Sequence, residues 1–397
     1  MDDGLRPRLV RGVFVRFQAN RDVFSEAVSF VVKLLPQRTT LPILSGVLIE
    51  ATTDGLTLSS FDYEVSAQTH IAADIDEPGT VLVSGRLLAD IANRLPTAPV
   101  RIATEESRVS ISAGSAHFTL LQMPVEEYPT LPEIDNVTGI VPADIFSTAI
   151  SQVAVAASRD DVTPVITGVQ LEIVENTVGL VATDRYRVSI REIAWDNGDN
   201  PVPSEPVTAL VPARTLQEVG KIFGHSGTVS IAITNRDDRE LIAFTAGRKT
   251  VTSLLIKGKF PPVKRLFPDS VENYSVMATS ELIEATRRVS LVLEREAALR
   301  FTFNSDGLTL EAIGSEQAQA SESIDAILTG EDTVVSLKPQ FLVDGLSAVH
   351  SEFVRIAFTK TDNPNKPGPV LITAQTSRDQ PSSDSYRYLL QPNLLLR

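Results

Sequence analysis

Apolar positions along this chain fall into two rhythms, a helical one and an alternating one, and the order of those rhythms repeats three times. Near the start of each repeat the spacing predicts an amphipathic helix. Phe24, Ala27, Val28 and Val31 form its stripe in the first copy, and Phe146, Ala149, Ile150 and Val153 in the second. Leu282, Ile283, Ala285 and Val289 give a looser version in the third. Further on, a strand runs directly into a second helix, at Val81-Leu-Val-Ser-Gly-Arg86, Leu210-Val-Pro-Ala-Arg214 and Val334-Val-Ser-Leu-Lys338. The stripes that follow are Leu88, Ile91, Ala92 and Leu95; Leu216, Val219 and Phe223; and Leu342, Gly345, Leu346 and Val349.

The alternating rhythm supplies strands between these helices. A turn-plus-strand unit is read at Gly55-Leu-Thr-Leu-Ser-Ser-Phe-Asp62, Gly179-Leu-Val-Ala-Thr-Asp184 and Gly307-Leu-Thr-Leu-Glu-Ala312, with each glycine expected to support the turn. Each repeat closes on a leucine-rich strand: Leu120-Leu-Gln-Met-Pro124, Leu254-Leu-Ile-Lys257 and Leu389-Leu-Gln-Pro392. The markers recur at a spacing of about 124 to 135 residues. Proline-bearing connectors, Pro129-Thr-Leu-Pro132 through Gly139 and Leu266-Phe-Pro268 through Asn273, separate the copies. Three domains are therefore expected, over 1–134, 135–268 and 269–397. Two helices and several short strands per copy predict an α+β class, with helices on one face of mainly antiparallel sheet. The opposite face and the edge strands then need neighbours, and similar units joined edge to edge provide them.

Composition narrows the function. The 397 residues include 50 acidic and 36 basic ones, a net charge of -14, so tight adhesion to nucleic acid over the whole surface is not expected. A basic face would have to be assembled from scattered residues such as Arg38, Arg86, Arg159, Arg214 and Lys221. No cysteine is present, which removes disulfides, thiolate metal sites and cysteine nucleophiles. The first dozen residues do not read as a signal peptide and no apolar run reaches membrane-spanning length, so the expected place is the cytoplasm, on the nucleoid, with no membrane partner.

Two other classes, an enzyme and a binding scaffold, find less support in the residues. An enzyme, for example a metal-dependent hydrolase, would draw on acidic pairs such as Asp160 with Asp161 or Glu126 with Glu127. Yet His70, His117, His225 and His350 form no short ligand motif, and neither a phosphate-binding loop nor a nucleophile elbow occurs. No cofactor and no metal are expected. A repeat scaffold that binds proteins without encircling anything would share the repeats and differ only in not closing a ring.

Seven segments, in order along the repeats, carry a family resemblance: Leu41-Pro-Ile-Leu-Ser-Gly46, Phe61-Asp-Tyr-Glu64, Val83-Ser-Gly-Arg86, Met123-Pro-Val-Glu-Glu-Tyr-Pro129, Ala182-Thr-Asp-Arg-Tyr-Arg187, Leu210-Val-Pro-Ala-Arg214 and Gly258-Lys-Phe-Pro261. In them the chain resembles the beta-type sliding clamps of bacterial DNA polymerase III, over roughly residues 13 to 392. The resemblance implies a head-to-tail homodimer of the DNA clamp fold, whose helices line a ring around duplex DNA and whose sheets lie outside. It implies a non-catalytic processivity factor for the replicative polymerase. Arg38, Arg86, Arg159 and Arg214 match positions at or near the hole, and Phe118 and Leu291 match interface hydrophobes.

The resemblance also implies a slot for a linear peptide from the polymerase alpha subunit, the clamp loader, other polymerases and repair proteins. Carried over by position, its wall is Ile166, Thr183, Arg185, Tyr186, Arg187 and Val188, then Pro261, Arg265 and Leu266, then Pro369, Leu389, Leu390, Gln391 and Pro392. Arg187 is expected to offer a donor to the peptide. The family usually ends in Met-Pro, an aliphatic residue and Arg, whereas this chain has Gln391-Pro-Asn-Leu-Leu-Leu-Arg397, placing polar groups where flexible apolar ones are usual.

Overall fold

The structure is a computed structural model that describes residues 14–35, 39–134, 137–198, 200, 205–236, 239–294, 297–312, 318–360, 367–378 and 383–394, the side chains of 235, 236, 239, 383 and 384 excepted. The first repeat contains β1 (Arg16–Ala19), α1 (Arg21–Lys33), β2 (Gly46–Thr52), β3 (Gly55–Phe61), β4 (Val65–Ile71), β5 (Asp74–Glu77), β6 (Gly79–Ser84), α2 (Gly85–Ala92), β7 (Val100–Glu105), β8 (Arg108–Ala113) and β9 (Ala116–Leu121). The second contains β10 (Gly139–Pro142), α3 (Ala143–Ala154), β11 (Gly168–Val174), β12 (Thr177–Thr183), β13 (Arg187–Ala194), β14 (Val207–Pro212), α4 (Ala213–Phe223), β15 (Thr228–Arg236), β16 (Arg239–Ala246) and β17 (Lys249–Leu254). The third contains β18 (Tyr274–Ala278), α5 (Thr279–Val289), β19 (Leu299–Asn304), β20 (Gly307–Ala312), β21 (Ala320–Ile324), β22 (Ala326–Thr329), β23 (Thr333–Leu337), α6 (Pro339–Ser347), β24 (Phe353–Phe358), β25 (Val370–Gln375) and β26 (Ser383–Leu390).

The helical stripes are the buried faces. Phe24, Val28, Leu88, Phe146, Val153, Leu216, Val219, Leu282 and Leu342 are all at most 1% exposed. Ile283 is the exception, half-buried, and the α5 stripe is completed by Thr286. The Asn20 side chain opens α1 by accepting from the backbone N–H groups of Asp22 and Val23. α1 packs on α2, β3 and β4, and α5 on α6, β20 and β21. No described helix is long and apolar enough to cross a membrane.

Every strand pairing is antiparallel, and each repeat contributes two four-stranded ladders. One is β6-β2-β3-β4, repeated as β14-β11-β12-β13 and β23-β19-β20-β21. The other is β1-β7-β8-β9, repeated as β10-β15-β16-β17 and β18-β24-β25-β26. Ladders from successive repeats fuse at their edges. β4 pairs with β17, Val65 facing Ser253 and Thr69 facing Lys249. β13 pairs with β26, Arg187 facing Leu390 and Arg191 facing Tyr386. The chain accordingly forms two compact bodies, Met1–Ala143 with His225–Leu255, and Asp144–Gly224 with Ile256–Arg397. The eight-stranded sheet through β4 and β17 and the five-stranded sheet β5-β1-β7-β8-β9 lie in the first body. The nine-stranded sheet through β13 and β26 and the four-stranded sheet β21-β20-β19-β23 lie in the second.

The hairpin turns correct one expectation. Gly55 and Gly307 end two-residue turns at φ +129° and +126°, and a Cβ on Gly55 would lie 2.5 Å from the Ile71 carbonyl oxygen. Gly179 is not their counterpart. It sits inside β12 opposite Glu192 on β13 and Glu172 on β11, and the second repeat makes its turn with Glu175 and Asn176, Glu175 taking φ +52°. The shared Gly-Leu pair slid the sequence match by two residues. Gly55→Ala is expected to cost roughly 1–3 kcal/mol in urea unfolding, and Gly179→Ala, whose added carbon meets nothing nearer than 3.6 Å, well under half as much.

Tyr128 ties the first connector to the sheet. Its hydroxyl accepts from the Phe61 N–H at 2.8 Å and donates to the Gly46 carbonyl at 3.3 Å, within a cluster of Phe61, Leu82, Met123 and Val125. Burial pushes its pKa up to about 12. A phenol raised on folding contributes stability that is complete below the unfolded value of about 10 and is lost as pH climbs through the folded one. Stability is thus expected to fall between pH 10 and 12, by up to about 3 kcal/mol from this group, and Tyr128→Phe should flatten that part of the alkaline unfolding profile.

Candidate partner-peptide slot and exposed arginines

In the second body many of the expected wall residues gather around the β13–β26 pairing. Strand alternation sends Val188, Ile190 and Leu389 to one face, where they cluster with Val181 and Val263 and are flanked by Phe260, Phe267 and Leu371. The connector after β17 thus lies across the joint. Asp184 shapes the approach to β13: its Oδ1 accepts from the N–H groups of Tyr186 and Arg187, with Arg185 between them at φ +80°. The first repeat makes the same turn, Asp62 accepting from Glu64 and Val65 around Tyr63 at φ +74°. This turn sets Tyr186 outward, 58% exposed, while the Tyr186 carbonyl accepts from the Gln391 N–H.

Other expected wall residues divide between surface and interior. Arg185, Arg265 and Leu266 are exposed, and Pro261, Pro369 and Gln391 are half-buried. The Arg185 guanidinium donates to Thr163, and the Gln391 side chain reaches the Pro367 carbonyl. Ile166, Val188 and Leu389 are 3–5% exposed, so each is at least a core residue. Thr183 is internal, its hydroxyl donating to the Arg187 carbonyl. Leu390 is fully buried and faces away from Leu389, and Pro392 is also buried. Leu390 is therefore a core residue.

Arg187 is more enclosed than a surface donor. It is 7% exposed, and three of its five N–H donors are engaged: Nε to Asp184 at 2.8 Å, one Nη to Asp344 at 2.6 Å and to the Tyr388 hydroxyl at 3.1 Å. The Phe341 ring covers it at 4.4 Å. Burial works against the charge, but Tyr388 and the two carboxylates outweigh it and hold the guanidinium protonated. Arg187 also braces an aromatic platform, because Phe341 in turn stacks on Tyr186 with centroids 6.0 Å apart. Lys338 lies 5.9 Å from the Tyr186 ring and 5.6 Å from Phe341. Phe341, Lys338, Asp344 and Tyr388 were not anticipated. The spacing of Phe341 and Asp344, one helical turn apart, was the available signal.

The tail folds back as well. The Asn393 N–H donates to the Ser336 carbonyl, and Leu394 stands 68% exposed.

Of the arginines expected to face DNA, Arg38 lies outside the described residues. Arg86 and Arg214 occupy equivalent second positions of α2 and α4 and are exposed, as is Arg159 beyond α3. None takes an ion pair among the described residues. Phe118, on the sheet-edge strand β9, is 38% exposed, and Leu291, just after α5, 82%. Neither is a core residue. Among the described residues no cluster of His, Asp and Glu could hold a metal ion. Of the acidic pairs, Asp160 accepts from the Val162 N–H, and Glu126 and Glu127 sit in a single helical turn.

Comparison with known proteins agrees with this architecture. The N-terminal, central and C-terminal domain families of the DNA polymerase III beta subunit match residues 15–132, 140–262 and 264–376. A beta sliding clamp of Streptomyces coelicolor is 44% identical over 380 residues, covering 95% of this chain and 99% of that protein. A beta sliding clamp homolog of Streptomyces muensis is 39% identical over 95% of this chain and 99% of its own length. The crystal structure of the Bacillus subtilis DNA polymerase sliding clamp superposes with a TM-score of 0.86 at 25% identity, covering 96% of this chain and all of that one. With all three domain families matched in tandem and close relatives covered almost end to end, this chain belongs to the DNA polymerase III beta subunit family, the bacterial beta sliding clamps.

Proposed function

We propose that two copies of this chain join head to tail into a ring around duplex DNA, tethering the replicative polymerase without catalysing a reaction. The observation that carries the reading is the repeated edge fusion. β4 takes β17 and β13 takes β26, while the equivalent strands β21 and β9 end their sheets. A second copy supplies the missing step, β21 of one chain against β9 of the other, and a constant step closes a ring. Exposed Phe118 and Leu121 on β9 and Leu291 after α5 give that seam its apolar contacts. The domains then run 1–134, 135–268 and 269–397, with the helices toward the hole.

Topological tethering reconciles DNA binding with a net charge of -14. Sliding requires only weak phosphate contacts, from Arg38, Arg86, Arg159 and Arg214, and tight ones would arrest it. The slot over Val188 and Leu389, with the Tyr186–Phe341 platform beside it, suits the aliphatic and aromatic anchors of peptides from the polymerase alpha subunit, the clamp loader and repair proteins. Such a protein works in the cytoplasm, on the nucleoid. The test is retention on circular DNA after incubation with a cognate clamp loader and ATP. A ring stays on the closed circle and is lost when the circle is linearised, whereas the scaffold reading gives no difference between the two.

A further inference from the structure

On β26, Tyr386 and Tyr388 point to α6, donating to the Gly345 and Phe341 carbonyls, so alternation sends Arg387 to the opposite sheet face beside Leu389. There Arg387 faces Thr373 on β25, and Thr373 faces Arg355 on β24. The two arginines thus stand two strand spacings apart, about 9–10 Å. Each lies over a ring, Arg387 over Phe267 at 5.1 Å and Arg355 over Tyr274 at 3.9 Å. A third, Arg378, lies 5.6 Å from Phe353, which is on the Arg355 face. Buried Gln375 ties the group together: its Oε1 accepts from Arg355 Nε at 3.0 Å, and its Nε2 donates to the Ser377 and Arg378 carbonyls.

These arginines are held by aromatics and amides, yet none takes an ion pair among the described residues, in a chain with 14 more acidic than basic groups. The arrangement is continuous with the slot, since Phe267 packs on the Val188–Leu389 cluster and also covers Arg387. Stacked guanidinium groups without carboxylate partners among the described residues suit an anionic chain laid across the strands. We propose that this face receives an acidic stretch of a partner protein whose apolar anchors occupy the slot, so that recognition reads charge beside the anchors. The proposal rests on the slot reading and extends it by a second, electrostatic contact.

Fluorescence polarisation with the full-length protein tests it. The core probe is a labelled peptide with leucine and phenylalanine anchors. Companion probes add four glutamates or four glutamines, at either end. A glutamate extension at one end is expected to bind about tenfold tighter than its glutamine counterpart at low salt, the gain shrinking as salt rises. The Arg355→Gln, Arg378→Gln double variant should lose that gain and keep the core probe's affinity. Equal binding of glutamate and glutamine probes overturns the proposal, as does a gain that survives in the double variant. Arginine-dependent binding of a single-stranded oligonucleotide, without any glutamate effect, would also overturn it and assign the face to nucleic acid. If the core probe does not bind at all, the slot reading fails on its own. A free decaglutamate then decides the arginine face, supporting it if its binding is lost in the double variant and overturning it if it never binds.

Discussion

Phe118→Asp and Leu291→Asp, made separately, are each expected to halve the mass in solution, from twice the 43.0 kDa of one chain to that of a single chain. Both side chains stand in water in the isolated chain, at 38% and 82% exposure, so an aspartate there costs the monomer little. In a seam between β9 and β21 the same carboxylate would be desolvated without a partner. Such a burial costs several kcal/mol, and each 1.4 kcal/mol is a tenfold loss of affinity, so dissociation at micromolar concentration follows. Light scattering reads the mass, and a melting curve confirms that each variant is folded. Retention on circular DNA should vanish with the dimer. A wild-type chain that is already monomeric would instead sink the ring and leave the scaffold reading.

The second large effect is expected at Arg187. Arg187→Ala leaves the Asp184 and Asp344 carboxylates, 13% and 19% exposed, without their guanidinium partner, and the Tyr388 hydroxyl keeps only its bond to the Phe341 carbonyl. Removing one partner of such a buried group costs about 3–5 kcal/mol. The loss also frees Phe341, so peptide binding should weaken even though Arg187 itself is shielded from the ligand by that ring. Arg187→Met separates the two effects, since a long apolar side chain still supports Phe341 while leaving the carboxylates unpaired. Urea unfolding should show both variants destabilised. Peptide titration should show Arg187→Met much the closer to wild type. Equal loss of peptide binding in both would mean that the guanidinium contacts the ligand directly.

The contrast between these residues shows how far the sequence could be read. The helical stripes are legible because burial of Phe24, Phe146 or Leu342 follows from a 3.6-residue period that needs no knowledge of neighbours. The three repeats and the α+β class follow from the same local signals. The slot is less legible. Val188 and Leu389 meet only because β13 and β26 pair across 201 positions of sequence, and no local pattern encodes that register. Arg187 reads as a surface donor because arginine usually is one. Its burial depends on Asp344, a whole repeat away, and on the Asp184 turn that sets its strand's direction. Gly179 misled for the opposite reason, since a glycine in a strand looks like a glycine in a turn until pairing partners are known.

The division of the second repeat between two bodies has a consequence for synthesis. When the ribosome has released the first 134 residues, β4 still lacks the strand that completes its ladder, because β17 spans Lys249–Leu254. The same holds for β13, whose partner β26 begins only at Ser383. The nascent chain therefore carries an open sheet edge for more than a hundred residues of elongation, twice in succession, and open edges are where chains pair wrongly with one another. The two joints that fuse ladders of successive repeats thus make the growing polypeptide dependent on whatever shields those edges until β17 and β26 emerge.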